Sequence, residues 1–147
     1  KFGIFTKAEL ESREEVLYEI YAKTINIEAL TMVDMASKEI IPAVIKYSKS
    51  LADSVLAVKE AGADAEVQTE LLKEVSAKLT EMKTALAKLE EEAKAAAMEN
   101  AKDQAFYYKD VVKAAMDALR KPADELEMIV DKKVWPFPTY ADLMFEV

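Results

Sequence analysis

The sequence predicts an all-α fold: a long antiparallel three-helix up-down-up bundle followed by an extended aromatic and Pro-rich tail. Three observations carry this expectation. The 147 residues include only two Gly and four Pro, which leaves little room for a sheet and its turns. Apolar residues make up 52% and charged residues 33%, the mixture that amphipathic helices need. Apolar side chains recur at steps of three and four over most of the length.

The first predicted helix runs over about residues 7–61. Thr6 and Glu9 have the spacing of a capping box, in which a hydroxyl and a carboxylate satisfy free N–H groups of the first turn. Leu10, Val16, Leu17, Ile20, Tyr21, Ile27 and Leu30 supply the apolar periodicity, and Val44, Ser48, Leu51, Val55 and Val58 continue it. At about 1.5 Å per residue such a helix is roughly 80 Å long. Pro42 is expected to kink it, lacking a donor and crowding the preceding turn. A break near Lys23–Asn26 is a second expectation. Gly62 suits the left-handed position after a helix, and Asp64 the next N-cap.

The second predicted helix, about 65–99, has the cleanest pattern. Leu72, Val75, Leu79, Met82, Leu86, Leu89, Ala93 and Ala96 alternate steps of three and four, a heptad seam over about three and a half repeats. Glu74–Lys78 and Glu90–Lys94 are i,i+4 pairs in the favourable order. The stretch from Asn100 to Asp103 reads as a stop and restart, with Asp103 as N-cap. The third helix, about 103–130, carries Tyr108, Val112, Ala115, Leu119, Pro122, Leu126 and Ile129 at heptad spacing. Pro122 either kinks it or opens a new short helix. Short connections make neighbours antiparallel. Residues 131–147 are expected to form a docking tail, where Trp135-Pro136-Phe137-Pro138 expects extended backbone before each Pro and Tyr140–Phe145 one short turn that Thr139 could cap.

Composition also excludes chemistry. The net charge of −8 disfavours nucleic acid, which a basic face must neutralise, and anionic membranes likewise. With no Cys there is neither disulfide nor thiolate, and with no His the commonest general base and metal ligand are missing. No apolar run reaches the roughly 20 residues of a membrane span, and a cytoplasmic location is expected. The opening Lys1-Phe2-Gly3, in place of Met, hints at a fragment or a processed product.

Each candidate site has a plainer reading. Glu14, Glu15, Glu19, Glu28 and Asp34 place carboxylates along the first helix, but bundle metal sites pair Glu with His, so a solvated or subunit-facing surface is expected instead. Tyr18, Tyr21, Tyr47, Phe106, Tyr107 and Tyr108 suggest a pocket or, more simply, core aromatics with hydroxyls at the edge. Met32, Met35, Met82, Met98, Met116, Met128 and Met144 read as gap-fillers. Ser12, Ser37, Ser48, Ser50, Ser54 and Ser76 have no base to activate them, and two Gly cannot build a phosphate loop. No catalytic, cofactor-binding or metal residue is assigned. Trp135 with Phe137 and Tyr140 resembles an anchor for a pocket elsewhere, the alternative being that it folds back on its own bundle. Between Ile25 and Ile41 the helix is apolar on more than one side, through Ile25, Ile27, Leu30, Met32, Val33, Met35, Ile40 and Ile41. Several neighbours, including a partner surface, are therefore expected.

Ser12-Arg13-Glu14-Glu15-Val16-Leu17-Tyr18-Glu19-Ile20-Tyr21, the run Lys23–Ala36, and Ile41-Pro42-Ala43 resemble the region after the catalytic domain of type III glutamine synthetases. Leu119-Arg120, Ala123–Glu127 and Trp135–Phe145 resemble that family's C-terminus, and Phe2 and Phe5 its exit from the catalytic part. The resemblance covers essentially the whole chain, with generic heptads from Leu51 to Asn100. It implies a single C-terminal helical domain, 1–147, of a subunit that joins glutamate and ammonia using ATP and Mg²⁺ or Mn²⁺. The implied partners are the upstream catalytic domain and neighbouring subunits of a homo-oligomer. None of the family's catalytic motifs matches a position here. Docking is assigned to Trp135, Phe137, Tyr140 and the stretch with Ile25, Ile27, Leu30 and Met35. The rival expectations are a free-standing coiled-coil interaction module and, behind it, a bundle enzyme acting alone.

Overall fold

A computed structural model describes residues 5–138 and 140–145, with the backbone alone at 140 and 141. The described residues are helical without strands. They comprise α1 (Lys7–Met35), a π-helical segment (Ala36–Ile40), α2 (Ile41–Glu60), α3 (Glu66–Ala95), α4 (Ala101–Tyr107), a second π segment (Tyr108–Val112), α5 (Lys113–Ile129) and α6 (Tyr140–Phe145). Helix is continuous through both π segments, so the described residues form four helical stretches: the three long ones the sequence suggested and α6, at the short turn expected over Tyr140–Phe145.

The caps follow local chemistry. Thr6 and Glu9 form the complete capping box, the Thr6 N–H donating to Glu9 Oε2 at 2.7 Å and the Glu9 N–H to Thr6 Oγ1 at 3.3 Å. α1 then runs unbroken past Lys23–Asn26, against the suggested break. At Pro42 the chain does not simply kink. The turn before it widens, the Ile41 N–H reaching back to the Ala36 carbonyl, and Pro42 takes an early position of α2, where a missing N–H costs least. Helix α2 ends in a Schellman motif: the Gly62 N–H donates to the Lys59 carbonyl, the Ala63 N–H to that of Val58, and Gly62 has φ +78°. Asp64 accepts from the Glu66 N–H at 3.1 Å, although the helix itself starts one residue later than a simple cap would set.

Two corrections apply further on. Asn100, not Asp103, caps the third stretch, its Oδ1 accepting from the N–H groups of Lys102 and Asp103. From the cap position the Asn100 side chain reaches both donors, whereas Asp103 already lies in the first turn. Pro122 does not open a new helix; it lies buried inside α5.

Packing centres on α3, which contacts α1, α2 and α5. Its seam residues Val75, Met82, Leu86 and Leu89 are fully buried. Ala22, Ala29, Ala36 and Val44 meet them from the first stretch, and Val112, Leu119 and Leu126 from the third, in one continuous core. Direction is read from polar contacts: Tyr107 meets Glu92 and Glu125 meets Lys78, so α3 and the third stretch are antiparallel. Tyr18 meets Phe106 and Asn26 meets Tyr108, so α1 runs parallel to that stretch.

The tail opens with a turn at residues 132–134. Asp131 organises it, its carbonyl accepting from Val134 and Trp135 and its carboxylate from the Lys133 N–H. This returns Trp135 to the bundle, where it is buried. Lys132 pairs with Asp142 of α6. Thr139, the suggested cap of α6, lies outside the described residues.

Leu86→Ala is expected to destabilise the chain by about 2–5 kcal/mol, since it removes a fully buried side chain and leaves a cavity. Met128→Ala, on an exposed side chain, should stay within about 0.5 kcal/mol; chemical denaturation compares them. A second expectation concerns pH. Lys78 Nζ lies 2.7 Å from Glu125 Oε2 and 3.1 Å from Glu81 Oε2. The contact with Lys78 lowers the Glu125 pKa below 4.5, and the contacts with Glu125 and then Glu81 raise that of Lys78. A lowered carboxyl pKa contributes stability above the unfolded value and loses it as pH falls through the folded one. The stability gap between wild type and Glu125→Gln should therefore narrow as pH drops below 4.5; a gap independent of pH would show that the ion pair contributes nothing.

Candidate docking surfaces

The side chains singled out for docking separate into two groups. Trp135 and Phe137 turn inward: Trp135 belongs to the buried core and Phe137 packs against it, half-buried. Ile25 is also buried, and Met35 is half-buried. Ile27 and Leu30 remain exposed at 65% and 53%. The backbone of Tyr140 opens α6; its side chain lies outside the described residues.

The exposure of α1 explains this split. One side, with Ala22, Ile25 and Ala29, faces the core. Leu10, Val16, Leu17, Ile20, Ile27 and Leu30 face water, each more than half exposed. A helix apolar on two sides that buries only one of them presents the other as a continuous patch, the arrangement that marks an interaction surface. Leu10 to Leu30 spans about 30 Å at 1.5 Å per residue.

Two hollows adjoin this patch. An apolar groove of about 330 Å³ is lined by Leu17, Tyr18, Tyr21, Ala105, Phe106 and Lys109. Its aromatic wall is a Tyr18–Phe106 pair with ring centroids 6.2 Å apart and planes tilted 43°. Lys109 Nζ stands 5.7 Å from the Phe106 ring, within cation–π range. Beside it, sharing Tyr18, an equally large cleft is lined by Glu11, Glu14, Glu15, Glu99 and Lys102. The aromatics named from the sequence therefore divide: Tyr18, Tyr21 and Phe106 share a groove, while Tyr47, Tyr107 and Tyr108 pack toward the core. Tyr107 donates to Glu92 Oε2 at 2.6 Å and buried Tyr108 to Asn26 Oδ1 at 3.0 Å. The hydrogen bond to Glu14 raises the Tyr18 pKa, that to Glu92 raises Tyr107, and burial raises Tyr108. All three phenols are held as neutral donors.

The acidic residues do not converge. Glu14 and Glu15 line the cleft, Glu19 pairs with Lys23 at 2.8 Å, Asp34 pairs with Lys38, and Glu28 is exposed. Among the described residues no three acidic side chains are close enough to hold a metal ion. Ser37, Ser48 and Ser76 donate back to the carbonyls of Asp34, Val44 and Leu72. Sequence reasoning missed one convergence. Met32, Met35 and Met82 line an apolar hollow of about 100 Å³ with Ala36, Ile40, Leu119, Arg120 and Ala123, beside the first π segment. Their separation along the chain gave no signal; only the packing of three elements brings them together. No described helix is long and apolar enough to cross a membrane.

The chain has relatives along its whole length. Residues 1–59 match the family model of the glutamine synthetase C-terminal domain. The chain is 39% identical over 150 residues to a glutamine synthetase of Butyrivibrio fibrisolvens, covering 100% of this chain and 21% of that protein. It is 32% identical over 149 residues to a glutamine synthetase of Bacteroides fragilis, with 97% and 20% covered. A type-3 glutamine synthetase of Dictyostelium discoideum is 33% identical over 155 residues, with the same shares covered. The chain thus spans about a fifth of the length of these curated relatives.

Because Trp135 is a core residue of this chain, Trp135→Ala should lower its own stability by about 3–5 kcal/mol, read as an earlier denaturation midpoint. Unchanged stability would mean that the ring serves only an outside partner.

Proposed function

From a chain related over its whole length to glutamine synthetases and matching their C-terminal domain, we propose a helical assembly domain of a type III glutamine synthetase subunit. The parent reaction joins ammonia to glutamate at the expense of ATP. In this reading the three long helical stretches act as an up-down-up brace beside the catalytic domain of the same subunit and its neighbours in a homo-oligomer. ATP and Mg²⁺ or Mn²⁺ belong to that catalytic part. Among the described residues no three acidic side chains stand close enough to hold a metal ion.

The observation that carries the reading is the uncovered apolar row of α1. Leaving six large aliphatic side chains in water opposes stability in an isolated domain and is offset when another protein surface removes them from water, at roughly 25 cal/mol per Å² of apolar area. The inward placement of Trp135 favours a docking role for α1, where Ile27 and Leu30 are exposed.

The test uses the longer polypeptide carrying this domain. Ile27→Asp with Leu30→Asp should shift the assembled enzyme toward smaller species in light scattering, while KM for ATP changes by less than about twofold, since interface charges act on association rather than on a remote site. An unchanged oligomer with selectively lost ATP binding would overturn the assignment. So would glutamine formation by the 147-residue chain alone.

A further inference from the structure

We propose that the outer row of α1 receives a second copy of this chain, the two α1 helices lying antiparallel. The proposal deepens the assembly reading and rests on it. Three observations select this occupant.

The row has a heptad seam. Leu10, Leu17, Thr24 and Thr31 recur every seven residues, and Arg13, Ile20 and Ile27 form the companion series three residues on. The Thr positions are less polar than their names suggest. Thr24 Oγ1 donates to the Ile20 carbonyl at 2.9 Å and Thr31 Oγ1 to the Ile27 carbonyl at 2.8 Å, so each hydroxyl is satisfied within its own helix.

The row is also self-complementary in one direction. With two α1 helices antiparallel about a dyad between Tyr18 and Glu19, Leu17 of one copy faces Ile20 of the other, and Leu10 faces Ile27. Arg13 faces Thr24, its side chain able to lie along the seam with its head in water. At the flanks Lys7 comes opposite Glu28 and Glu14 opposite Tyr21, and no like charges face each other. An in-register parallel pair instead stacks Arg13 on Arg13 and sets Glu9 against Glu14, two like-charge contacts that disfavour it. Charge thus separates the two orientations where the aliphatic residues alone do not.

Finally, the row is free of the core on the chain's own account. Its side chains lie opposite Ala22, Ile25 and Ala29, which are buried against the rest of the bundle. Pairing therefore leaves the core undisturbed.

The test exploits the absence of Cys from the sequence. Leu10→Cys and Ile27→Cys chains, mixed and oxidised, should give a disulfide-linked heterodimer. Neither variant alone should link, because like positions are then about 25 Å apart along the helices, far beyond the 4.4–6.8 Å Cα separation a disulfide spans. In sedimentation equilibrium the 16.4 kDa chain should approach twice its mass as concentration rises. Leu17→Glu with Ile20→Glu should weaken association by at least about 100-fold, by burying unpaired charge, with helical circular dichroism unchanged; Met128→Glu should have no effect. A linked Leu10→Cys homodimer would overturn the antiparallel register. A wild-type chain that stays monomeric while the longer polypeptide still assembles would overturn the pairing yet leave the assembly reading standing; loss of both would remove both.

Discussion

Burial of the α3 seam is the constraint on which the other contacts depend. Val75, Met82, Leu86 and Leu89 lose all contact with water because helices from both ends of the chain close over them. A heptad seam on one helix can be covered by a narrow stripe on each neighbour. The covering residues fit this: small side chains from α1 and the π segment after it, with Ala22, Ala29 and Ala36, and larger ones from α5, with Leu119 and Leu126. Small residues let α1 approach closely, and they leave its bulky side chains on the opposite face.

The same division explains why a helix carrying so many aliphatic residues is so exposed. On α1 the large side chains are at Leu10, Leu17, Ile20, Ile27 and Leu30, outside, while the inner face is mostly Ala. The result inverts the usual amphipathic arrangement, in which polar groups occupy the solvent side. Such an inversion leaves α1 with an apolar face that the described residues do not cover.

The π segments reconcile packing with the sequence. Each adds one residue to a turn, at Ala36–Ile40 ahead of Pro42 and at Tyr108–Val112 where Tyr108 reaches Asn26. A widened turn shifts the faces of the helix that follows, so residues on either side of it can both point inward without ending the helix. This is why a Pro expected to bend the first helix coexists with a continuous one, and why Ala36, Ile40 and Val44 all contribute to one core.

The helical class, the turn at Gly62, the capping box at Thr6 and the α3 seam were all legible in the sequence, because each depends on contacts within four residues or on a simple period. The family resemblance was legible as well, in the words at both ends of the chain. The destinations of side chains with two apolar options were not. Trp135 read equally well as an outward anchor or an inward plug, and only the Asp131 turn, which needs the bundle beneath it, directs the ring inside. Ile25 and Ile27 are two residues apart and chemically alike, yet one is buried and the other faces water. Periodicity shows that a helix has two apolar sides; which side the chain covers for itself is decided by the three-dimensional packing of distant helices, whose contacts no local pattern encodes.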